Sequence, residues 1–157
     1  MTWLEVCHDK NLRDLPYKVE LNRWGNIELS PHRRQHSVMQ GRLSAQLSKL
    51  MPGGEIAVEC AVDTSDGVRL PDVAWVSTER WNSMSDSASC SIAPEICVAV
   101  ISASNSEAEM EHKRKLCFEA GAEEVWLCEE GGTVRFFSAK TGALKRSRLC
   151  PKFPAGI

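Results

Sequence analysis

The chain has no Cys-x-x-Cys pair, no long apolar run and, from Gly131 to its end, no acidic residue. Each shortage narrows the field. The seven cysteines, Cys7, Cys60, Cys90, Cys97, Cys117, Cys128 and Cys150, are odd in number and scattered. A structural zinc site wants close pairs of Cys or His, so this spacing argues against one and favours reduced, mostly buried thiols over a disulfide framework. No cysteine has a recognisable histidine partner that would mark a thiol nucleophile. The apolar runs, of which Ile96–Ile101 is typical, fall far short of the ~20 residues of a membrane-crossing helix. The first residues, Met1-Thr2-Trp3-Leu4-Glu5, lack the basic and then apolar pattern of a secretory signal. Together these shortages predict a soluble cytoplasmic protein without a membrane partner.

What is present fits one folded domain over residues 1–157. With 43% hydrophobic and 25% charged residues, the chain has enough apolar surface for a real core, and it shows no internal repeat or linker. The net charge of −2 hides an asymmetry: six basic residues (Arg135, Lys140, Lys145, Arg146, Arg148, Lys152) follow Gly131, and a run of glutamates from Glu107 to Glu130 precedes it. One reading is a solvated helix face followed by a basic hairpin; the sharper one is a phosphate-binding rim near the last strands.

Periodicity supplies the elements. Apolar spacing predicts a short helix within residues 3–11. Alternation at 17–21 and 27–29 around Trp24-Gly25-Asn26 predicts a β-hairpin. Ser30-Pro31 predicts the start of a helix whose stripe, Val38, Leu43, Leu47 and Leu50, stops at Pro52-Gly53-Gly54. Residues 56–62 and the run around Asp72 predict a hairpin turning at Asp66-Gly67. A small helix over 79–84, a serine-rich loop over 83–91 and a central strand at Ile96–Ile101 follow. Ser104 or Asn105 is the expected cap of a long helix ending at Gly121, and two strands across Gly131-Gly132 close the chain. The expected class is α+β, with one mixed sheet flanked by helices.

Asp72 is the most informative residue. It lies in Leu70-Pro71-Asp72-Val73-Ala74-Trp75-Val76, where every neighbour is apolar. Desolvating an ionised carboxylate costs several kcal/mol unless a metal ion, a cation or backbone N–H groups compensate. Glu59, in the apolar run just before, faces the same cleft if the two strands pair; the plainer reading is a salt-bridged glutamate. His32, Arg33, Arg34 and His36 gather at the start of the second helix, as a phosphate-holding cluster or as ordinary surface residues. Gln40 on the same helix is within reach of the site.

These segments resemble a known pattern. Pro71-Asp72, the strand Val98-Ala99-Val100-Ile101-Ser102 and the helical Lys113 are similar to the bacterial putative restriction endonuclease family of the PD-(D/E)XK nuclease superfamily. The resemblance extends through Gly67-Val68-x-x-Pro71-Asp72-Val73-Ala74-Trp75, Pro94-Glu95-Ile96-Cys97-Val98, Ser102-x-Ser104-Asn105 and Gly121-Ala122-x-Glu124-Val125-Trp126-Leu127-Cys128. Phe136-Phe137 and Phe153-Pro154 also match. It implies a restriction-endonuclease-like fold and a DNA endonuclease in which Mg²⁺, or Mn²⁺, is held by Asp72, by a strand glutamate and by a main-chain carbonyl, here that of Val100. The metal stabilises charge on the phosphate and lowers the pKa of its water. Lys113 takes the place of the lysine that orients water, because Ile101 cannot; Lys115 is the fallback. Duplex cleavage further implies a homodimer.

One departure matters more than the matches. Where the family carries its glutamate this chain has Ala99, whose methyl group cannot bind a metal, so the resemblance implies weakened Mg²⁺ binding and an inactive site. Ala99 is either natural degeneracy or a deliberate Glu→Ala change, and the intact surrounding motif favours the second. A catalytically dead nucleic-acid-binding or regulatory module on the same fold is the alternative function. No recognition helix or aromatic stacking platform marks a sequence preference.

Overall fold

In the computed structural model, which describes residues 1–157, the elements follow in the order α1 (Trp3–His8), β1 (Tyr17–Leu21), β2 (Ile27–Pro31), α2 (Arg34–Leu50), β3 (Gly54–Val58), β4 (Val62–Thr64), β5 (Gly67–Arg69), β6 (Val73–Ser77), α3 (Thr78–Ser83), β7 (Ile96–Ile101), α4 (Glu107–Glu119), β8 (Glu124–Glu129), β9 (Val134–Ser138) and β10 (Gly142–Leu144). The main sheet has six strands in the order β10-β9-β8-β7-β6-β3. β7 and β8 are parallel, and every other neighbouring pair is antiparallel. A parallel pair needs a crossover, and α4 supplies it.

β7 is buried on both faces because a helix covers each. Ile96, Val98 and Val100 join Met39, Leu43 and Leu47 of α2 in the largest core cluster, together with Trp126, Phe136 and Phe153. The alternate residues turn to the opposite side, where Cys97 meets Cys117 of α4 and Ile101 meets Met110. Ala99 lies on that α4 side. The continuous apolar run is therefore the signature of a central strand, as its sequence suggests.

Two features depart from the single expected sheet. The stretch 56–62 does not stay extended: Glu59 adopts a left-handed φ of 52°, and the chain leaves the main sheet there. β4 and β5 then form a hairpin that joins β1 and β2 in a second sheet of four strands, order β2-β1-β5-β4. β3 and β6 still pair antiparallel, with Val58 opposite Val73, so the anticipated partnership survives around an inserted hairpin. The two sheets share no strand.

The helix starts also differ from expectation. Pro31 ends β2, paired with Tyr17, and α2 begins at Arg34 with Arg33 in the cap position and no side-chain cap. Strand pairing outweighed the local Ser-Pro signal. α4 is capped by Ser106, whose hydroxyl accepts from the Glu109 N–H, rather than by Ser104 or Asn105. All seven cysteines are free thiols, and five of them are buried.

The C-terminal segment is tied down by a buried acid. Glu124, 2% exposed, accepts from Trp126 Nε1 and Ser147 Oγ, and from the Arg148 and Leu149 N–H groups. Replacing it strands several donors inside the protein, each worth about 1–3 kcal/mol. Glu124→Ala is expected to lower unfolding free energy by roughly 3 kcal/mol or more in urea titrations; an unchanged midpoint would show that these donors find other partners.

Candidate functional site

Asp72 immediately precedes β6, where the chain crosses from the small sheet to the large one. Val73 is opposite Val98, so continuing that antiparallel register by one residue sets Asp72 opposite Ala99. Opposed residues of an antiparallel pair share a face, with Cβ atoms about 4.5–5.5 Å apart. Ala99 and Asp72 line the same cavity.

The carboxylate itself is 1% exposed and fully engaged. Oδ2 accepts from the Val100 N–H at 2.7 Å. Oδ1 accepts from the Lys18 ammonium at 3.1 Å and from His36 Nε2 at 3.0 Å. An ionised carboxylate can only accept, so His36 Nε2 carries the hydrogen. Burial pushes the Asp72 acid upward, but the His36 bond, the Lys18 charge and the Val100 N–H more than offset it and hold it at about 2. Lys18 is buried as well, and although desolvation pulls it down, Asp72 and Glu20 keep it above its ordinary value. The main-chain carbonyl of Asp72 accepts from Gln40 Nε2 at 3.3 Å and from the Glu59 N–H at 3.1 Å.

Several of the expected residues are brought together, and Lys115, Arg34 and Glu59 are not among them. Asp72, Ala99 and Lys113 line one cavity of about 450 Å³, and Lys18, Glu20, Asp66 and Arg69 line it with them. A second cavity of about 210 Å³ adjoins Asp72 on its other side and is lined by His32, Arg33, His36, Val100, Lys113 and Lys18. N–H and C=O of one extended residue leave the same edge of a strand. The Val100 carbonyl therefore faces the Asp72 side, as the sequence reading requires. Gln40 touches the Asp72 main chain. Lys115 is an exposed side chain paired with Glu119.

Glu59 takes the plainer of its two readings. It sits in the left-handed bend rather than in a strand, and its carboxylate pairs with His32 Nε2 at 2.7 Å. The cluster at the start of α2 divides its work: His36 reaches Asp72, His32 reaches Glu59, and Arg33 reaches Glu130 at 3.3 Å. Arg34 lines neither cavity. Nor do any of the six basic residues after Gly131, and Arg135 lies within 4 Å of Glu107 and Glu129.

Lys18 is the residue that sequence reasoning missed. In Tyr17-Lys18-Val19-Glu20-Leu21 it falls on the polar side of an alternating strand, which reads as solvent-facing. That side instead folds over the junction before β6: Lys18 Nζ also donates to the Leu70 carbonyl at 3.1 Å, and Glu20 accepts from the Leu70 N–H at 2.7 Å. No local signal distinguishes a solvated polar face from one covered by another segment.

The sequence matches the Uma2 family model, described as a putative restriction endonuclease, over residues 9–153. The chain belongs to this family. The fold is also similar to that of a putative nuclease of the DUF820 group from Anabaena variabilis ATCC 29413, with a TM-score of 0.65, 16% identity, and coverage of 76% of this chain and 72% of that one. At that identity the likeness concerns the fold. No curated protein matches the sequence.

Family membership makes a divalent ion the obvious question for the Asp72 pocket, and the donor set does not fit one. Mg²⁺ takes near-octahedral oxygen ligands at about 2.0–2.1 Å. Here the one carboxylate at the expected position already accepts three N–H bonds, its opposite neighbour is a methyl group, and no three His, Cys, Asp or Glu side chains are grouped to hold an ion. Asp66, the other buried acid of the larger cavity, is held well below the usual carboxylate range by His112, Arg23 and Arg69 despite its partial desolvation.

The depressed Asp72 acid has a consequence for stability. Its contribution is complete above the ordinary carboxyl value near 3.8 and is lost as pH falls toward about 2. That stabilisation amounts to about 2 kcal/mol. Comparing the native chain with Asp72→Asn by denaturant unfolding should show a stability difference that shrinks between about pH 4 and pH 2; a constant difference would mean that Asp72 is not ionised in the fold.

Proposed function

We propose that this Uma2-family chain binds the backbone of duplex DNA on a nuclease fold and does not cleave it with Mg²⁺ or Mn²⁺. The observation that supports this reading is the state of Asp72: its opposite position is Ala99, and Lys18, His36 and the Val100 N–H satisfy both its oxygens. Metal-assisted hydrolysis uses an ion with open positions for phosphate and water, held by oxygen ligands free to take it. This carboxylate is not free.

Binding is supported by the smaller cavity beside it. Lys18, Arg33, Lys113, His32 and His36 face Asp72 and Glu130 there, and the hydroxyls of Ser30, Ser102 and Ser104 add neutral donors. Lysine and arginine neutralise phosphates, and serine side chains hydrogen-bond them without reading base identity. We extend the proposal to a homodimer in the cytoplasm, since two antiparallel DNA strands suit two symmetric sites, the edge strands of both sheets offer pairing surfaces, and free thiols suit a reducing compartment.

Fluorescence anisotropy with a labelled duplex in EDTA is expected to show weak binding that falls steeply with salt. Lys113→Ala or Arg33→Ala should weaken it and flatten the slope of log affinity against log salt by about 1. Affinity indifferent to salt would sink the backbone-binding reading. Plasmid DNA should survive incubation with Mg²⁺ or Mn²⁺, and its metal-dependent nicking by the native chain would instead establish an active nuclease.

A further inference from the structure

We propose that the Lys18 ammonium is the resident cation of the Asp72 site, held on the Asp72 oxygen that a divalent ion would have to take. The assignment rests on the reading of this pocket as one that does not cleave. Lys18 Nζ lies 3.1 Å from Asp72 Oδ1 and 3.1 Å from the Leu70 carbonyl oxygen, with its side chain 9% exposed. A carboxylate oxygen joined by a main-chain carbonyl is the kind of donor set a hard cation uses. Lys18 takes both.

Charge explains why the arrangement is self-consistent. A buried ammonium is tolerated only when paired, and a buried carboxylate likewise. With alanine at position 99, one carboxylate faces one ammonium, and His36 and the Val100 N–H complete the bonding of Asp72. Lys18, Asp72 and Ala99 line one cavity, so a second carboxylate at position 99 would share that cavity with the Lys18 ammonium. The ammonium would then face two carboxylates while still held on Asp72 Oδ1, so a divalent ion would have to displace it to reach that oxygen. Positions 18 and 99 are therefore coupled: a lysine at 18 matches an alanine at 99, and a divalent ion requires both to change.

β1 holds the lysine in place. Lys18 is opposite Ser30 in the β1–β2 hairpin, and β1 meets β5 at Leu21 opposite Val68, which fixes the strand over the chain leading into Asp72. Glu20, two residues along on the same face, holds the Leu70 N–H while Lys18 holds the Leu70 carbonyl. The ammonium is positioned by a paired strand rather than by a free surface side chain.

Mn²⁺ binding, followed by electron paramagnetic resonance, tests the coupling in the native chain, Ala99→Glu, Lys18→Met and the double variant. The expected result is that the double variant binds Mn²⁺ about tenfold or more tightly than Ala99→Glu alone, and that the native chain binds none measurably. Equal affinity of the double variant and Ala99→Glu would overturn the assignment, as would tight binding by the native chain. Lys18→Gln, which keeps length and a hydrogen-bond donor without the charge, replaces Lys18→Met if the latter fails to fold; there Mn²⁺ should raise the melting temperature of the Lys18→Gln, Ala99→Glu protein and leave that of the native chain unmoved. DNA anisotropy of the native chain in EDTA separates the two ideas. Its loss would remove the nucleic-acid reading and leave the Lys18 assignment standing.

Discussion

A buried carboxylate that must be compensated organises the centre of this protein. Asp72 is placed at the point where the chain passes from one sheet to the other, beyond the reach of bulk water, and its charge is met from three directions. A lysine comes from the small sheet, a histidine from α2 and a main-chain N–H from β7. Each partner belongs to a different element, so the ion cluster also fixes how those elements meet. Removing any partner would leave the buried carboxylate short of compensation.

The same geometry carries the proposed separation of binding from cleavage. The fold sets an acid before β6, β7 next to it and Lys113 of α4 in the same cavity. What the pocket can do depends on two side chains within that frame. At Ala99 the frame offers a methyl group, which cannot bind a metal, and at Lys18 it offers a paired ammonium. In the proposed function these two side chains leave positive charge and hydrogen-bond donors beside a phosphate without an exchangeable ion.

Sequence patterns succeeded where the physics is local or strongly periodic. The β1–β2 hairpin, the α2 stripe, the buried run of β7, and Gly121 with its positive φ after α4 were all legible, because each follows from residues a few positions apart. They failed where two local signals competed or a distant segment intervened. Ser30-Pro31 looked like a helix start but was claimed by pairing with β1. Residues 56–62 looked like one strand but broke at Glu59, because β4 found its partner in a different sheet.

The sequence by itself determined the family, the central strand and the solitary Asp72, since motif spacing and apolar periodicity are one-dimensional properties. Only the tertiary structure decided what neutralises Asp72. Lys18 is 54 residues away along the chain and reads as one more polar residue on an alternating strand. Whether such a face meets water or another segment depends on how the two sheets pack, and that relation has no periodic signature.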